Sequence, residues 1–283
     1  MKIEHFFDEF TNTLTYLVFD EETKMGVVID PVTNYDPNSG RTSDESNQEV
    51  AACLDENGID LLYALDTHAH ADHFSGLPYF KERYGSRTVI GEQIIDVQKM
   101  FCSIFALEDC SIDGGHFDVL MKGGERLSAG SLTIEAIHTP GHTPACLTYR
   151  IGDALFVGDA IFMPDYGTGR CDFPGGSASA LYDSIQRIYA FPDETRIFTC
   201  HDYLPGGRAL RFESTVGEQK RENVQLDSET SRDDYVAFRE KRDAELSMPK
   251  LILPSLQINI RGGRLPEPEA NGTSYLKIPL NRF

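Results

Sequence analysis

Positive charge is scarce in this chain. Lysine and arginine number 26 against 45 aspartates and glutamates, a formal net charge of −19. Binding a phosphate backbone or an anionic lipid surface needs a basic face, so the balance argues against nucleic acid and membrane surfaces as partners. An anionic substrate would need arginine or lysine placed locally. Long apolar runs are also missing. LLYAL and LILP are far shorter than the roughly 20 apolar residues that span a bilayer. The N-terminus, MKIEHFFDEF, lacks the apolar stretch of a secretory leader. The expectation is a cytoplasmic protein. The six cysteines (Cys53, Cys102, Cys110, Cys146, Cys171, Cys200) form no C-x-x-C pair and no framework spacing, so they are expected to be reduced, mostly buried thiols. No low-complexity segment and no exact repeat is present.

What is present suits one α/β unit. The 283 residues, 40% hydrophobic and 10% aromatic, can bury a sizeable core. LTYLVFD (14–20) and MGVVID (25–30) are strands joined by EETK in a hairpin. Residues 33–47 read as a polar loop with DPNSG as its turn. NQEVAACLDENG is a helix closed by Gly58, LLYALDT (61–67) a buried strand, GLPYFKERYG a helix closed by Gly85, and RTVIG a strand. The second half repeats the scheme. LTIEAIHTPGH (132–142), CLTYRIG (146–152) and ALFVGDA (154–160) are strands. ASALYDSIQRIYAF (178–191) is a helix and RIFTC (196–200) a strand. Two strand-and-helix halves imply a two-sheet sandwich with helices outside. Past residue 212 comes a charged helix, SRDDYVAFREKRDAELS, then a Pro/Gly-rich tail, MPKLILPSLQINIRGGRLPEPE. No composition break marks a second domain. The expected organisation is a core over about 1–205, with 206–283 an extension packed on it.

Histidine is rare, eight in all, yet THAHADHFSG (67–76) holds three of them and an aspartate. His68, His70, Asp72 and His73 share one short loop after a buried strand, which can aim imidazoles and a carboxylate at one point. TPGHT sets His142 on a turn after a strand. FVGDA sets Asp159 at a strand end where Gly158 allows close approach, and TCHDY repeats that design at His201. Taken singly, each is an ordinary turn residue; together they form a set of seven metal-capable groups. His5, His116 and His138 lack this context and read as structural or surface residues.

HAHADH, TPGH, VGDA and CHDY, in this order and spacing, resemble the metallo-β-lactamase superfamily over residues 1 to about 205. The resemblance implies an α/β, αββα sandwich with a metal site at one edge of its sheets. It does not fix the reaction. Two metal arrangements stay open. In one, His68, His70 and His142 hold a first zinc, Asp72, His73 and His201 a second, and Asp159 bridges, which suits hydrolysis. In the other, His68, His142 and Asp159 alone form a two-histidine, one-carboxylate face suited to non-haem Fe(II) oxygen chemistry.

The stretch after Asp159 resembles the persulfide dioxygenases, which carry an Arg-x-Asp-Phe element matched here by Arg170, Cys171, Asp172 and Phe173. The tail MPKLILPSLQINIRGG is similar to theirs. Residues 31–46 and the full tail look most like the bacterial β-lactamase hydrolase-like proteins. The resemblance implies one Fe(II) per chain on His68, His142 and Asp159, with glutathione persulfide and O2 as substrates and sulfite and glutathione as products. His70, Asp72, His73 and His201 would hold the ligands in place and supply protons or hydrogen bonds. A residual second-metal site, and a dinuclear zinc thioester hydrolase of the glyoxalase II type, remain the alternatives. A non-catalytic relative fits poorly with an intact ligand set. For the glutathione carboxylates, Arg170 is the first candidate, unless it braces its loop through Asp172. Tyr203, Lys250 and Arg261 are further candidates. Cys171 stands where the human-type enzymes have threonine and is either an oxidisable thiol near iron or a small packing residue. A homo-oligomer is expected only because dimers are common.

Overall fold

The computed structural model describes residues 1–108 and 110–282. In chain order the first half contains strands β1 (Lys2–Asp8), β2 (Thr13–Phe19), β3 (Met25–Ile29), β4 (Val32–Asp36) and β5 (Arg41–Ser43), then helix α1 (Glu45–Asn57) and β6 (Asp60–Leu65). β7 (Phe74–Ser75), α2 (Leu77–Tyr84), β8 (Arg87–Gly91), α3 (Ile94–Ile104) and β9 (Val119–Met121) complete it. The second half runs β10 (Arg126–Ala129), β11 (Leu132–His138), β12 (Leu147–Ile151), β13 (Ala154–Phe156), α4 (Ala178–Tyr189), β14 (Arg196–Phe198) and β15 (Glu213–Thr215). It ends in α5 (Val216–Glu222), α6 (Arg232–Asp243) and α7 (Ile252–Asn259).

Two six-stranded sheets, ordered β1-β2-β3-β6-β8-β9 and β10-β11-β12-β13-β14-β15, lie face to face. β2 shows why four layers form. All seven of its residues are buried, the signature of a strand covered on both faces. With period two, Leu14, Tyr16 and Val18 point between the sheets and meet Tyr149, Phe156 and Phe198 of the second sheet. Leu17 and Phe19 point outward, against a layer containing Leu54 of α1, Phe80 of α2, Phe101 of α3 and Leu256 of α7. The outer face of the second sheet, Leu155 and Ile197, is covered by Leu181 and Ile185 of α4 and Tyr235 of α6. Each such large apolar side chain contributes about 1.5–3 kcal/mol by leaving water. The result is the αββα sandwich.

At one end the sheets are tied by polar bonds. Leu14 N–H donates to Cys200 O at 2.7 Å and Leu147 N–H to Thr67 O at 2.9 Å. The Tyr149 hydroxyl donates to Asp66 O at 2.9 Å.

Three expectations need correction. Residues 33–47 are not all loop: β4 and β5 form an antiparallel ribbon that pairs with β7, because Val32, Thr33, Tyr35 and Thr42 are β-formers flanking the DPNSG turn. The cysteines are not all reduced. Cys102 and Cys110 form a disulfide, while Cys53, Cys146, Cys171 and Cys200 are free thiols. The chain reverses at Ala106 (φ +49°) just past α3, bringing Cys110 back over Cys102, a local geometry that C-x-x-C spacing does not register. The Pro/Gly-rich tail contains α7, whose Pro254 sits in the first turn, where a missing N–H costs nothing. β1, β7, α3, β9, β10, β15 and α5 had no counterpart in the sequence reading. Among the described residues no helix is long and apolar enough to cross a membrane.

Candidate metal centre

The ligand loop begins where β6 ends. Leu65 closes the strand, and Asp66 and Thr67 lead into His68, His70, Asp72 and His73 before β7. Asp30, at the end of the neighbouring β3, anchors this start. Its carboxylate accepts from Thr67 N–H at 2.7 Å, Thr67 Oγ1 at 2.9 Å and His70 Nε2 at 3.0 Å. Burial pushes the Asp30 carboxyl up to about 6, against the Thr67 bonds, which favour its charge. Asp159 follows β13 on the second sheet, and Gly158 before it has φ +53°. A Cβ there would lie 2.6 Å from Thr67 Oγ1, so only glycine lets the two sheets' loops approach.

Hydrogen bonds orient each ring. His142 Nδ1 donates to Arg170 O at 2.7 Å, which leaves Nε2 with its lone pair. The Thr67 hydroxyl proton is spent on Asp30, so its oxygen accepts from His68 Nδ1 at 3.0 Å and again leaves Nε2 bare. His201 Nδ1 donates to Asn12 O at 3.2 Å. His70 uses Nε2 and presents Nδ1.

Among the described residues four groups have donor atoms within 4.8 Å of one another: a first set, His68, His142 and Asp159; a second, His70, Asp72, His73 and His201; and two that overlap them, Asp159, Cys200 and His201, and Asp30, Asp66 and His70. Asp159 Oδ2 lies 3.6 Å from His142 Nε2 and 3.9 Å from His68 Nε2. Its Oδ1 lies 3.4 Å from His201 Nε2, which faces Asp72 Oδ2 at 3.1 Å. The buried atoms His68 Nε2, His70 Nδ1, His73 Nε2, His201 Nε2 and Asp159 Oδ1 have no hydrogen-bond partner among the described residues. Buried polar atoms without partners are costly, and several aimed at common points fit a bound cation. Burial, with neighbouring imidazoles, holds His68 and His70 well below the usual histidine range, so they are neutral and ready to ligate. Burial raises the Asp159 carboxyl. For His201, burial acts downward, but the Asp72 and Asp159 carboxylates overcome it and raise the imidazole.

Asp72, His142 and Asp159 open onto a cavity of about 410 Å³. Its walls carry Phe162, Tyr166, Phe173 and Tyr203. Tyr203 stacks on Tyr166 (4.7 Å) and on His201 (5.6 Å). Arg170, Tyr203 and Lys250 all line the cavity. Arg170 is spent on its own loop. Its fork donates to both Asp172 oxygens at 2.6 Å, and Nη1 to Ser247 O at 2.8 Å. Arg239 is likewise tied to Asp243 and Gln225. Arg242 and Lys250 have no ion-pair partner among the described residues. Arg261 is 3% exposed, donates to Gln257 O just past α7 and is not among the residues lining the cavity. Cys171 is packed against Leu181 and Tyr235, and burial raises its thiol, so it is a packing residue here.

Sequence reasoning missed Asp30, which holds Thr67 and His70; Asn259, which holds the His70 and His73 carbonyls; and Arg242, which lines the cavity. Asp30 had a usable signal, a carboxylate closing an apolar strand as Asp159 does. Asn259 and Arg242, far along the chain, had none.

The family model described as the metallo-beta-lactamase superfamily matches residues 9–201. The chain belongs to the metallo-beta-lactamase superfamily. Within it, a probable metallo-hydrolase of Burkholderia pseudomallei is 48% identical over 292 residues, 99% of each chain. A beta-lactamase hydrolase-like protein of Agrobacterium fabrum is 50% identical, over 99% of this chain and 64% of that one. The mitochondrial persulfide dioxygenase ETHE1 of Bos taurus is 30% identical, over 92% of this chain and 88% of that one. Among solved structures, ETHE1 from Myxococcus xanthus superposes with a TM-score of 0.74 at 30% identity, covering 93% of this chain and all of that one. Relatives of this chain are thus named both for hydrolysis and for persulfide oxidation.

Proposed function

We propose that this chain is a persulfide dioxygenase that oxidises glutathione persulfide with O2 and water to sulfite and glutathione. The centre would be one Fe(II) held by His68, His142 and Asp159. The outer persulfide sulfur gives up four electrons to O2, and the S–S bond breaks to return the thiol. The observation that carries the reading is how the two donor sets meet the cavity. His142 and Asp159 of the first set open onto it, with His68 behind them. Of the second set, His70 and His73 are fully buried against Asp30 and Thr13, and Asp72 alone reaches the cavity, tied to His201 as an ion pair. The likeness to ETHE1, in sequence and over nearly the whole fold, supports it.

Iron bound there would supply the redox chemistry with dioxygen. The chain's own residues do the rest. Hydrogen bonds from His68 and His142 fix their tautomers. The aromatic walls exclude water around the persulfide and give the glutathione backbone a surface to lie on. Carboxylate recognition falls to Lys250 and Arg242, because Arg170 is committed to Asp172. Tyr203 offers a hydroxyl at the cavity wall.

A second reading has its own observation. A single ion on the first set leaves His70 Nδ1 and His73 Nε2 without partners, whereas two zincs would use both, as in a thioester hydrolase. Protein purified without added metal decides between them. One iron per chain and oxygen consumption with glutathione persulfide are expected, with negligible hydrolysis of S-lactoylglutathione. Two zincs with thioesterase activity would overturn the dioxygenase reading.

A further inference from the structure

The ligand loop 66–73 belongs to no helix and no strand, so its peptide groups have no ladder to hold them. Asp66 and Thr67 are held by Val89, Asp30, Leu147 and Tyr149, whereas the partner of the His70 and His73 carbonyls comes from the far end of the chain. Asn259, the last residue of α7, is fully buried. Its Nδ2 donates to His70 O at 2.8 Å and to His73 O at 2.7 Å, and its Oδ1 accepts from Ser75 N–H at 2.8 Å. Both amide hydrogens and the carbonyl oxygen are thus spent on one six-residue stretch of backbone. The two carbonyls bracket Asp72. The helix that delivers Asn259 is itself fixed. Gln98 Nε2 donates to Ile260 O at 2.9 Å, Leu256 and Ile260 sit in the core, and Gln257 exchanges two bonds with Lys277. Past it, a Cβ on Gly263 would lie 2.5 Å from Ser75 O, so the segment presses directly on the end of the loop.

We infer that Asn259 is a positioning residue of the metal centre: it sets the backbone of the ligand loop so that His70, Asp72 and His73, and His68 just before them, present their donor atoms before a metal arrives. It touches neither metal nor substrate. The matched family segment ends at His201, so on this inference the centre is completed by a residue outside it. The inference rests on the clustered donor atoms described above and not on the reaction.

The physical reason is pre-organisation. Groups that orient metal ligands typically contribute 10–100-fold in metal affinity. Asn259→Asp keeps the size and the acceptor for Ser75 N–H but removes the amide donor that serves both carbonyls. Asn259→Ser shortens the group and leaves one donor. Gln257→Ala loosens the same helix from the tail without touching the loop.

The test is titration of metal-stripped protein with Co(II), followed by its visible absorption, alongside the melting temperature of the metal-free form. The Co(II) dissociation constant should rise about 10–100-fold in Asn259→Asp, less in Asn259→Ser, and stay at the parent value in Gln257→Ala. If Asn259→Asp does not fold, Asn259→Ser carries the comparison. Parent-like Co(II) affinity and spectrum in a folded Asn259 variant, with a lower melting temperature shared by Gln257→Ala, would reduce Asn259 to a structural residue and overturn the inference. His142→Ala is the separate check on the ligand set. Parent-like Co(II) binding there overturns that set but not the clamp, which the Asn259 variants then decide on the His70, Asp72, His73 and His201 donors. Loss of binding there, together with parent-like Asn259 variants, overturns the clamp alone.

Discussion

Arg170→Lys separates a substrate clamp from a loop brace. The guanidinium makes three bonds: two to Asp172 at 2.6 Å and one to Ser247 O at 2.8 Å. A lysine ammonium can meet one Asp172 oxygen but cannot span both and reach Ser247 as well, so about two bonds are lost. The Arg170 side chain is 14% exposed and that of Asp172 25% exposed, so the pair is screened only in part. Taking the low end for charge-assisted bonds gives a cost of about 2–3 kcal/mol. For a chain of this size that is a drop in melting temperature of roughly 4–10 °C. Because Arg170 O also receives the His142 Nδ1 proton, a loosened loop should reduce metal retention as well. The Michaelis constant for glutathione persulfide should change little, whereas Arg242→Ala and Lys250→Ala should each raise it about tenfold, near 1.4 kcal/mol. Thermal melts, metal content and oxygen-electrode kinetics on the three variants read all of this. A tenfold rise in the Michaelis constant for Arg170→Lys at unchanged melting temperature would refute the brace and restore Arg170 as the carboxylate clamp.

Other perturbations have equally definite outcomes. Gly158→Ala, at φ +53° with Thr67 Oγ1 2.6 Å from the new Cβ, should cost about 1–3 kcal/mol in backbone strain alone and displace the ligand loop. Unchanged melting temperature and metal content would contradict this. Alkylation of the unfolded, unreduced protein should label four thiols and leave the Cys102–Cys110 pair unmodified. Closing that eight-residue separation should stabilise by about 2.5 kcal/mol, measured as the shift in denaturant midpoint of Cys102→Ser. Adding metal at a hundred times its dissociation constant should stabilise the stripped protein by about 2.7 kcal/mol. No shift on adding metal would mean that the partnerless donor atoms do not bind it.

The sequence was legible where chemistry and local pattern coincide. His68, His70, Asp72 and His73 stand within six residues, and His142, Asp159 and His201 each follow an apolar strand, so a period-two reading places them all at strand ends. The layered fold followed from the two strand-and-helix halves, whose strands are apolar runs such as β2. What escaped was set by contacts between distant segments. Asp30 and Asn259 act on the loop through hydrogen bonds spanning 37 to 189 residues; Asp30 at least closes an apolar strand as Asp159 does, whereas no pattern around Asn259 announces such a partner. Arg170 was ambiguous for a related reason. Its neighbour Asp172 was visible two residues away, but only the structure shows that the fork is fully engaged. The Cys102–Cys110 pair spans a chain reversal at Ala106, a residue of positive φ that alanine gives no reason to expect.

The bonds between the sheets at the ligand end bear on how the centre can open. Leu14 to Cys200, Leu147 to Thr67 and Tyr149 to Asp66 join one sheet to the other beside the donor atoms. A sandwich usually breathes by letting its sheets slide or part at an edge. Here that edge is laced, so the donors separate only when the whole sandwich comes apart. Exchange of a bound ion must then run through the cavity mouth, at a rate indifferent to global stability. The Leu14 and Leu147 amides, by contrast, should exchange with deuterium only as fast as the protein unfolds.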